Sequence, residues 1–251
     1  MIVFHADLDN TLMYSHKRDI GTVKRCCEIY NDKEISFITD KTYELLKQVN
    51  GKVLLVPTTT RTMEQYNRID FGIPKPRYVL TCNGGILLVD GEVDETWYQD
   101  SLKLIKESEE QLAKAVPLLA KEPTRSFEVR FIKDLFLFTK CDDPEQAIAM
   151  LKEKLDSTLV DVFHNGIKLY VVPKKLSKGM AVKRFRTYMP ADVVIAAGDS
   201  LFDVSMIQAA DVSYAPEELS REQHFTEKTM CVPDTLRFSE EILAHILELV
   251  Q

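Results

Sequence analysis

The chain opens with a short apolar run, Ile2 to Ala6, that stops at Asp7, and similar runs recur at Val53 to Val56 and Val193 to Ala197. A run of apolar residues with no polar alternation suits a strand buried on both faces. Helical patterns fall between these runs. Thr39 is placed to cap a helix through Tyr43, Leu46 and Val49 that ends at Gly51, and further helices are expected at Thr62 to Arg68, Ser177 to Tyr188, Leu201 to Ala209 and Ser239 to Val250. Strand and helix in alternation predict a parallel sheet with helices on both faces. At 251 residues and 45% hydrophobic composition, the chain can bury such a core without disulfides.

The alternation is interrupted in the middle. Ile86 to Val89 and Glu92 to Val93 flank Asp90-Gly91 as a hairpin, Phe127 to Phe131 and Leu135 to Thr139 flank Lys133-Asp134, and Asp161 to Val172 turns around Asn165-Gly166. Ser101 to Ala120 reads as a helix strained late by Pro117, and Pro144 starts another that runs to Leu155. The expected fold class is therefore α/β, a Rossmann-like parallel core from residues 1–85 and 173–251, with an inserted α+β cap at 86–172.

A formal charge of -7, with acids interspersed among the Lys and Arg, argues against nucleic acid, which needs a basic face. The five cysteines form no CxxC pair, so neither a disulfide framework nor a zinc site is expected, and a reducing cytoplasm fits. No signal peptide or membrane span is read.

Ligands of an open parallel sheet sit at the carboxyl ends of its strands. Asp7 and Asp9 follow the first strand, Thr58 to Thr60 the next core strand, Asn83 to Gly85 the run at Tyr78 to Thr81, and Asp199 and Asp203 the run ending at Ala197. One Asp after a strand is as often a turn former or helix cap. Two pairs converging would repel unless a cation sat among them, and oxygen ligands completed by water point to Mg²⁺. Thr59 offers a hydroxyl near a helix start, or is that helix's cap; Lys178 opens a helix where the dipole disfavours a cation, so it faces either an anion or solvent. Carboxylates, metal, hydroxyl and ammonium are the parts that phosphoryl transfer needs.

In this order, DLDNTL (Asp7 to Leu12), TTR (Thr59 to Arg61), SKG (Ser177 to Gly179) and GDSLFD (Gly198 to Asp203) resemble the four motifs of the haloacid dehalogenase superfamily of phosphatases. The insert resembles the type IIB cap of its Cof-like and sucrose-phosphatase-like branch. The resemblance implies Asp7 as a nucleophile forming an aspartyl phosphate and Asp9 as general acid, then base. It also implies Thr59 and Lys178 on the phosphate, and Mg²⁺ on Asp7, the carbonyl of Asp9 and Asp199, with Asp203 in support. Phe202 stands where many relatives have Asn, Asn10 where Gly is common, and Thr60 where Gly often follows the second-motif Thr.

The implied substrate is a small phosphate ester, a sugar phosphate by the same resemblance. Arg130, Lys133, His164 and Asn165 from the cap, with Arg61 and Asn83 from the core, are the candidates to read it, although Asn165 also suits a turn. Tyr14 to Ile38, with Lys17, Arg18, Lys24 and Arg25, is either a solvated hairpin or a flap turning cations toward substrate. Two rival functions are a phosphohexomutase of the phosphomannomutase type and a phosphometabolite-binding protein whose catalysis has decayed. Oligomeric state is open.

Overall fold

The computed structural model describes residues 1–235 and 237–250. The chain divides into two units, Met1–Val93 with Lys178–Gln251, and Asp94–Ser177. In chain order the first unit begins with β1 (Ile2–Ala6), β2 (Tyr14–Ser15), β3 (Lys24–Tyr30), β4 (Lys33–Thr39), α1 (Asp40–Val49), β5 (Leu54–Pro57), α2 (Met63–Tyr66), β6 (Tyr78–Thr81), β7 (Ile86–Val89) and β8 (Glu92–Val93). The second unit holds α3 (Glu95–Ile105), α4 (Glu109–Ala120), β9 (Arg130–Ile132), β10 (Phe136–Lys140), α5 (Pro144–Lys154), β11 (Val160–Asn165) and β12 (Lys168–Pro173). The first unit resumes with α6 (Lys178–Tyr188), β13 (Val193–Ala197), α7 (Val204–Ala209), β14 (Val212–Pro216), α8 (Glu217–Glu222), β15 (Thr229–Val232) and α9 (Phe238–Leu249).

Among the described residues the core sheet runs β15-β14-β13-β1-β5, with all its pairs parallel. Val3, Phe4, His5 and Ala6 are consecutive and all buried, so both faces of β1 are covered, as a helix-flanked parallel sheet requires. α1 packs on α9 and α6 on α7. β6 continues from β5 through a parallel bridge between Thr58 and Leu80. The unit boundary falls after Val93 rather than at residue 85, because β7 and β8 extend the antiparallel ladder begun by β6.

The stretch from Tyr14 to Thr39 is a three-stranded antiparallel sheet, β2-β4-β3, among the described residues. Its tight turn has Asn31 at φ 49° and Asp32 at φ 58°, the two left-handed positions of a type I′ hairpin, and Lys133 (46°) and Asp134 (54°) repeat that geometry between β9 and β10. The third expected turn is shifted by one residue: Asn165 pairs with Lys168, so Gly166 and Ile167 form the loop, with Gly166 alone at positive φ of 57°.

In the second unit β11-β12-β10-β9 form an antiparallel sheet whose inward side packs Leu137, Leu169, Val171 and Val162 against Leu112, Ala115, Leu119, Ile148 and Leu151 of α4 and α5. The single helix expected at 101–120 is two. Asp94 caps α3 by accepting from the Trp97 N–H at 2.9 Å, and a turn of 3-10 helix, Lys106–Ser108, separates α3 from α4. Among the described residues no helix is long and apolar enough to cross a membrane.

Candidate active site

β1 and β13 lie side by side with Ala6 opposite Ala197, and the Asp7 N–H donates to the Ala197 carbonyl at 2.9 Å. That register alone brings Asp7 next to Gly198 and Asp199. Lys178, at the start of α6, is 1% exposed and places its Nζ 2.5 Å from Asp7 Oδ1 and 2.5 Å from Asp203 Oδ1. The other oxygen of Asp203 accepts from the Asp199 N–H (3.1 Å), the Ser200 N–H (2.9 Å) and the Ser200 hydroxyl (2.8 Å). This turn delays α7 to Val204, three residues past the expected start, with the Asp203 N–H closing back on Ser200 at 2.9 Å. Gly198 leaves no room for a side chain: a Cβ there would strike Asp203. Thr11, fully buried, donates to Asp199 Oδ1 at 3.2 Å.

One oxygen from each of Asp7, Asp199 and Asp203 lies within 4.8 Å of the others. Burial pushes the Asp7 carboxyl well above the usual range; Lys178 opposes this, and Asp203, Asp199 and Asp9 add to it. Burial, then Asp203, lifts Asp199 to about 7. Burial works against the charge of Lys178, yet Asp203 and Asp7 hold it above the ordinary lysine range. Three acids against one ammonium leave the cluster electron-rich, so it must take up protons or hold a further cation. An all-oxygen donor set fits a hard divalent metal, with Asp7 and Asp199 the better donors because Asp203 is already spent on four hydrogen bonds.

Asp9 is held by Arg61 through two parallel bonds, Nε to Oδ2 and Nη2 to Oδ1, both 2.7 Å. The third arm of the same guanidinium, Nη1, donates to Glu28 Oε1 at 2.8 Å. Asn10 has φ 58°, a left-handed position that Asn tolerates in place of Gly. Its side chain also bonds to Asp199.

Thr59 is fully buried, but it does not cap a helix: Thr62 caps α2 in a reciprocal box with Gln65. The Thr59 N–H is spent on the Leu80 carbonyl (2.8 Å), while its Oγ1 accepts from the Arg61 N–H at 3.1 Å. Asn83, buried and left-handed at φ 59°, donates its N–H to the Thr59 carbonyl at 2.9 Å and so ties the two loops together.

Three of the flap's four cations have partners nearby, with Arg25 paired to Asp40 at 2.6 Å, Lys24 over Phe37 and Arg18 over Tyr14, and Lys17 is exposed. The flap reaches the site through Arg18, which also donates to Asn10 Oδ1 at 3.4 Å, and through the acid Glu28. The second-unit candidates also have local partners. Arg130 pairs with Glu128, and His164 directs Nδ1 at the Gly166 carbonyl (2.8 Å) and Nε2 at Glu145 Oε1 (2.9 Å). Asn165 is an exposed strand end beside its turn, and the Lys133 carbonyl accepts from the Tyr98 hydroxyl at 3.1 Å. Thr11 and Glu28 were not singled out beforehand; Thr11 is visible as the hydroxyl of the first motif, whereas Glu28 carries no local signal.

Comparison with known proteins identifies the family. A family model described as haloacid dehalogenase-like hydrolase matches residues 92–222, slightly more than half of the chain. A phosphoglycolate phosphatase of Sulfurisphaera tokodaii is 25% identical over 190 residues, covering 74% of this chain and 75% of that protein. The solved sucrose-phosphatase of Synechocystis sp. PCC6803, in complex with sucrose and phosphate, superposes with a TM-score of 0.68 at 16% identity, covering 98% of this chain and 97% of that one. A subclass IIB sugar phosphatase superposes with a TM-score of 0.62 at 13% identity, covering 98% and 100%. The fold is that of these capped phosphatases, and the class is phosphoric monoester hydrolase. The chain belongs to the haloacid dehalogenase-like hydrolase family.

Proposed function

We propose that the protein is a Mg²⁺-dependent phosphatase that hydrolyses a small phosphorylated metabolite, in first place a sugar phosphate, through an aspartyl phosphate on Asp7. The observation that carries this reading is the buried cluster in which Lys178 bridges Asp7 and Asp203 beside Asp199. Asp7 attacks phosphorus, forming an O–P bond as the ester P–O bond breaks; Asp9, a carboxylate where it pairs with Arg61, first takes up a proton from solvent on its exposed side and gives it to the departing alkoxide. Asp9 then takes a proton from the water that splits the acyl phosphate, which frees Asp7 and leaves Asp9 protonated for the next alkoxide. Lys178 holds a phosphate oxygen. The Thr59 hydroxyl accepts from Arg61 N–H and keeps its hydrogen to donate to another.

Asp7, the Asp9 carbonyl and Asp199 would hold Mg²⁺, with Asp203 orienting the turn behind them. The ion, when bound, offsets the repulsion between a carboxylate nucleophile and a phosphate dianion. The second unit, Asp94–Ser177, is assigned the cap's task of choosing the leaving group. A reducing cytoplasm is the assigned compartment, which the five free thiols support.

The test is phosphate release from p-nitrophenyl phosphate, a sugar-phosphate panel and phosphoglycolate, the last because of the Sulfurisphaera relative, each with Mg²⁺ and with chelator. Release is expected only with metal, and Asp7→Asn is expected to bring it to background. No release by concentrated wild-type enzyme, or a variant that keeps most of the rate, refutes the reading.

A further inference from the structure

Glu28 is a buried acid that the steps above leave without a task. Its strand, β3, slips register on both sides of it: Cys26 pairs with Phe37, Glu28 with Ser36, and Ile29 with Glu34. Bulges re-aim side chains. Here the result inverts the usual order, since Cys27 and Glu28 are both buried while Ile29 and Tyr30 are 58% and 49% exposed. The strand is pinned in this setting by a bridge from Glu28 to Ile69 and by the Asp70 N–H donating to the Cys27 carbonyl at 2.8 Å.

Every oxygen of the Glu28 carboxylate is used. Oε2 accepts from the Ser36 hydroxyl at 2.7 Å, and Oε1 accepts from Arg61 Nη1 at 2.8 Å and from Arg68 Nε at 3.1 Å. Arg68 is itself steadied over the Tyr30 ring at 4.4 Å. Two carboxylates and two guanidiniums, Asp9, Glu28, Arg61 and Arg68, thus balance in charge. A planar guanidinium whose Nε, Nη1 and Nη2 are divided between two carboxylates has its plane set by both. Glu28 is the fixed one, its side chain fully buried, whereas the Asp9 side chain is 51% exposed.

We propose that Glu28 is a positioning residue for proton transfer: by anchoring the Arg61 guanidinium it sets where the half-exposed Asp9 carboxylate sits beside the leaving oxygen. This rests on the phosphatase reading above. Asp9 passes a proton only to a leaving group that needs one. An alkoxide needs it, while p-nitrophenolate departs without it, so misplacing Asp9 discriminates between esters and general loosening of the fold does not.

The experiment compares kcat/KM for glycerol 2-phosphate and p-nitrophenyl phosphate in wild type, Glu28→Gln, Asp9→Asn and the double variant. Glu28→Gln is expected to lose on the order of 10²-fold on glycerol 2-phosphate and under about tenfold on p-nitrophenyl phosphate. In the Asp9→Asn background it should add no further discrimination. If Glu28→Gln does not fold, Glu28→Asp, which keeps the charge on a shorter arm, carries the same comparison. Equal losses on the two esters, or discrimination that survives in Asp9→Asn, overturn the proposal while wild-type turnover keeps the phosphatase reading. A wild type inactive on both esters sinks the reading and this inference together.

Discussion

Replacing Asp199 with Asn should separate divalent-cation binding from stability, and the size of the effect follows from the cluster's charges. The acid oxygens of Asp7, Asp199 and Asp203 lie within 4.8 Å of one another. At an effective permittivity of about 20, each like-charged pair at that distance costs about 3.5 kcal/mol. Lys178 offsets part of this for Asp7 and Asp203, which it touches. Asp199 is eased by the charge of Lys178 and, more weakly, by the Thr11 hydroxyl and the Asn10 side chain. Asp199 therefore contributes two of the three repulsive pairs, and proton uptake by the acids caps that cost in the metal-free protein.

A cation that binds only the folded state adds about 2.7 kcal/mol at one hundred times its Kd. For a chain of this size each kcal/mol moves Tm by about 2–4 °C, so saturating Mg²⁺ should raise the wild-type Tm by about 5–11 °C. Asp199→Asn should leave the metal-free Tm equal or higher, because the repulsion is gone, and reduce the Mg²⁺ shift to under about 2 °C. Thermal melts with EDTA and across a Mg²⁺ titration read both quantities. A variant that keeps the full shift, or a wild type with none at saturating Mg²⁺, refutes the assignment of this cluster as the cation site.

Gly198→Ala drives a Cβ into Asp203 and should disturb the turn that carries Asp199. The same titration should show Mg²⁺ affinity lowered about 10–100-fold, and unchanged affinity would show that the turn is not tightly held. His5 is fully buried, which lowers its pKa from 6.5 to about 3, so the unfolded chain takes up a proton below pH 6.5 while the folded protein stays neutral. Its contribution is fully present above pH 6.5 and is lost as pH falls toward 3, at about 1.4 kcal/mol per unit, or about 2 kcal/mol between pH 7 and 5. His5→Val should remove that share in denaturant melts at the two pH values, and an unchanged pH dependence would exclude it.

Much of the core was legible because its signals are local. Apolar runs at β1, β5 and β13 are uninterrupted because both faces of these strands are buried, and the rule that ligands gather at strand carboxyl ends then groups Asp7, Asp199, Asp203 and Thr59. Lys178 was legible as a cation out of place at a helix start.

Errors arose where neighbours decide. α3 begins at Glu95 because the Asp94 side chain reaches the Trp97 N–H, although the aromatic residues there look unlike a helix start. Thr59 is not the cap of the helix that follows, a role Thr62 takes, and its N–H goes to the Leu80 carbonyl, which only strand pairing brings close. Of the two readings of Lys24, Arg25 and Arg18, the solvated hairpin holds, since all three are exposed on or beside an antiparallel sheet, and each also lies over an aromatic ring that the sequence did not pair with it.

By itself the sequence determined the alternation of strands and helices in the core, the turn residues that permit tight hairpins, and which acids end which strands, since each of these depends on residues within a few positions of one another. Only the tertiary structure decided how those acids share their charges. Lys178 reaches across 171 positions to Asp7, and Arg61 divides its guanidinium between Asp9, 52 positions away, and Glu28, 33 positions away. No local pattern encodes such pairings, because the register of β1 against β13 and the slipped register of β3 against β4 set them.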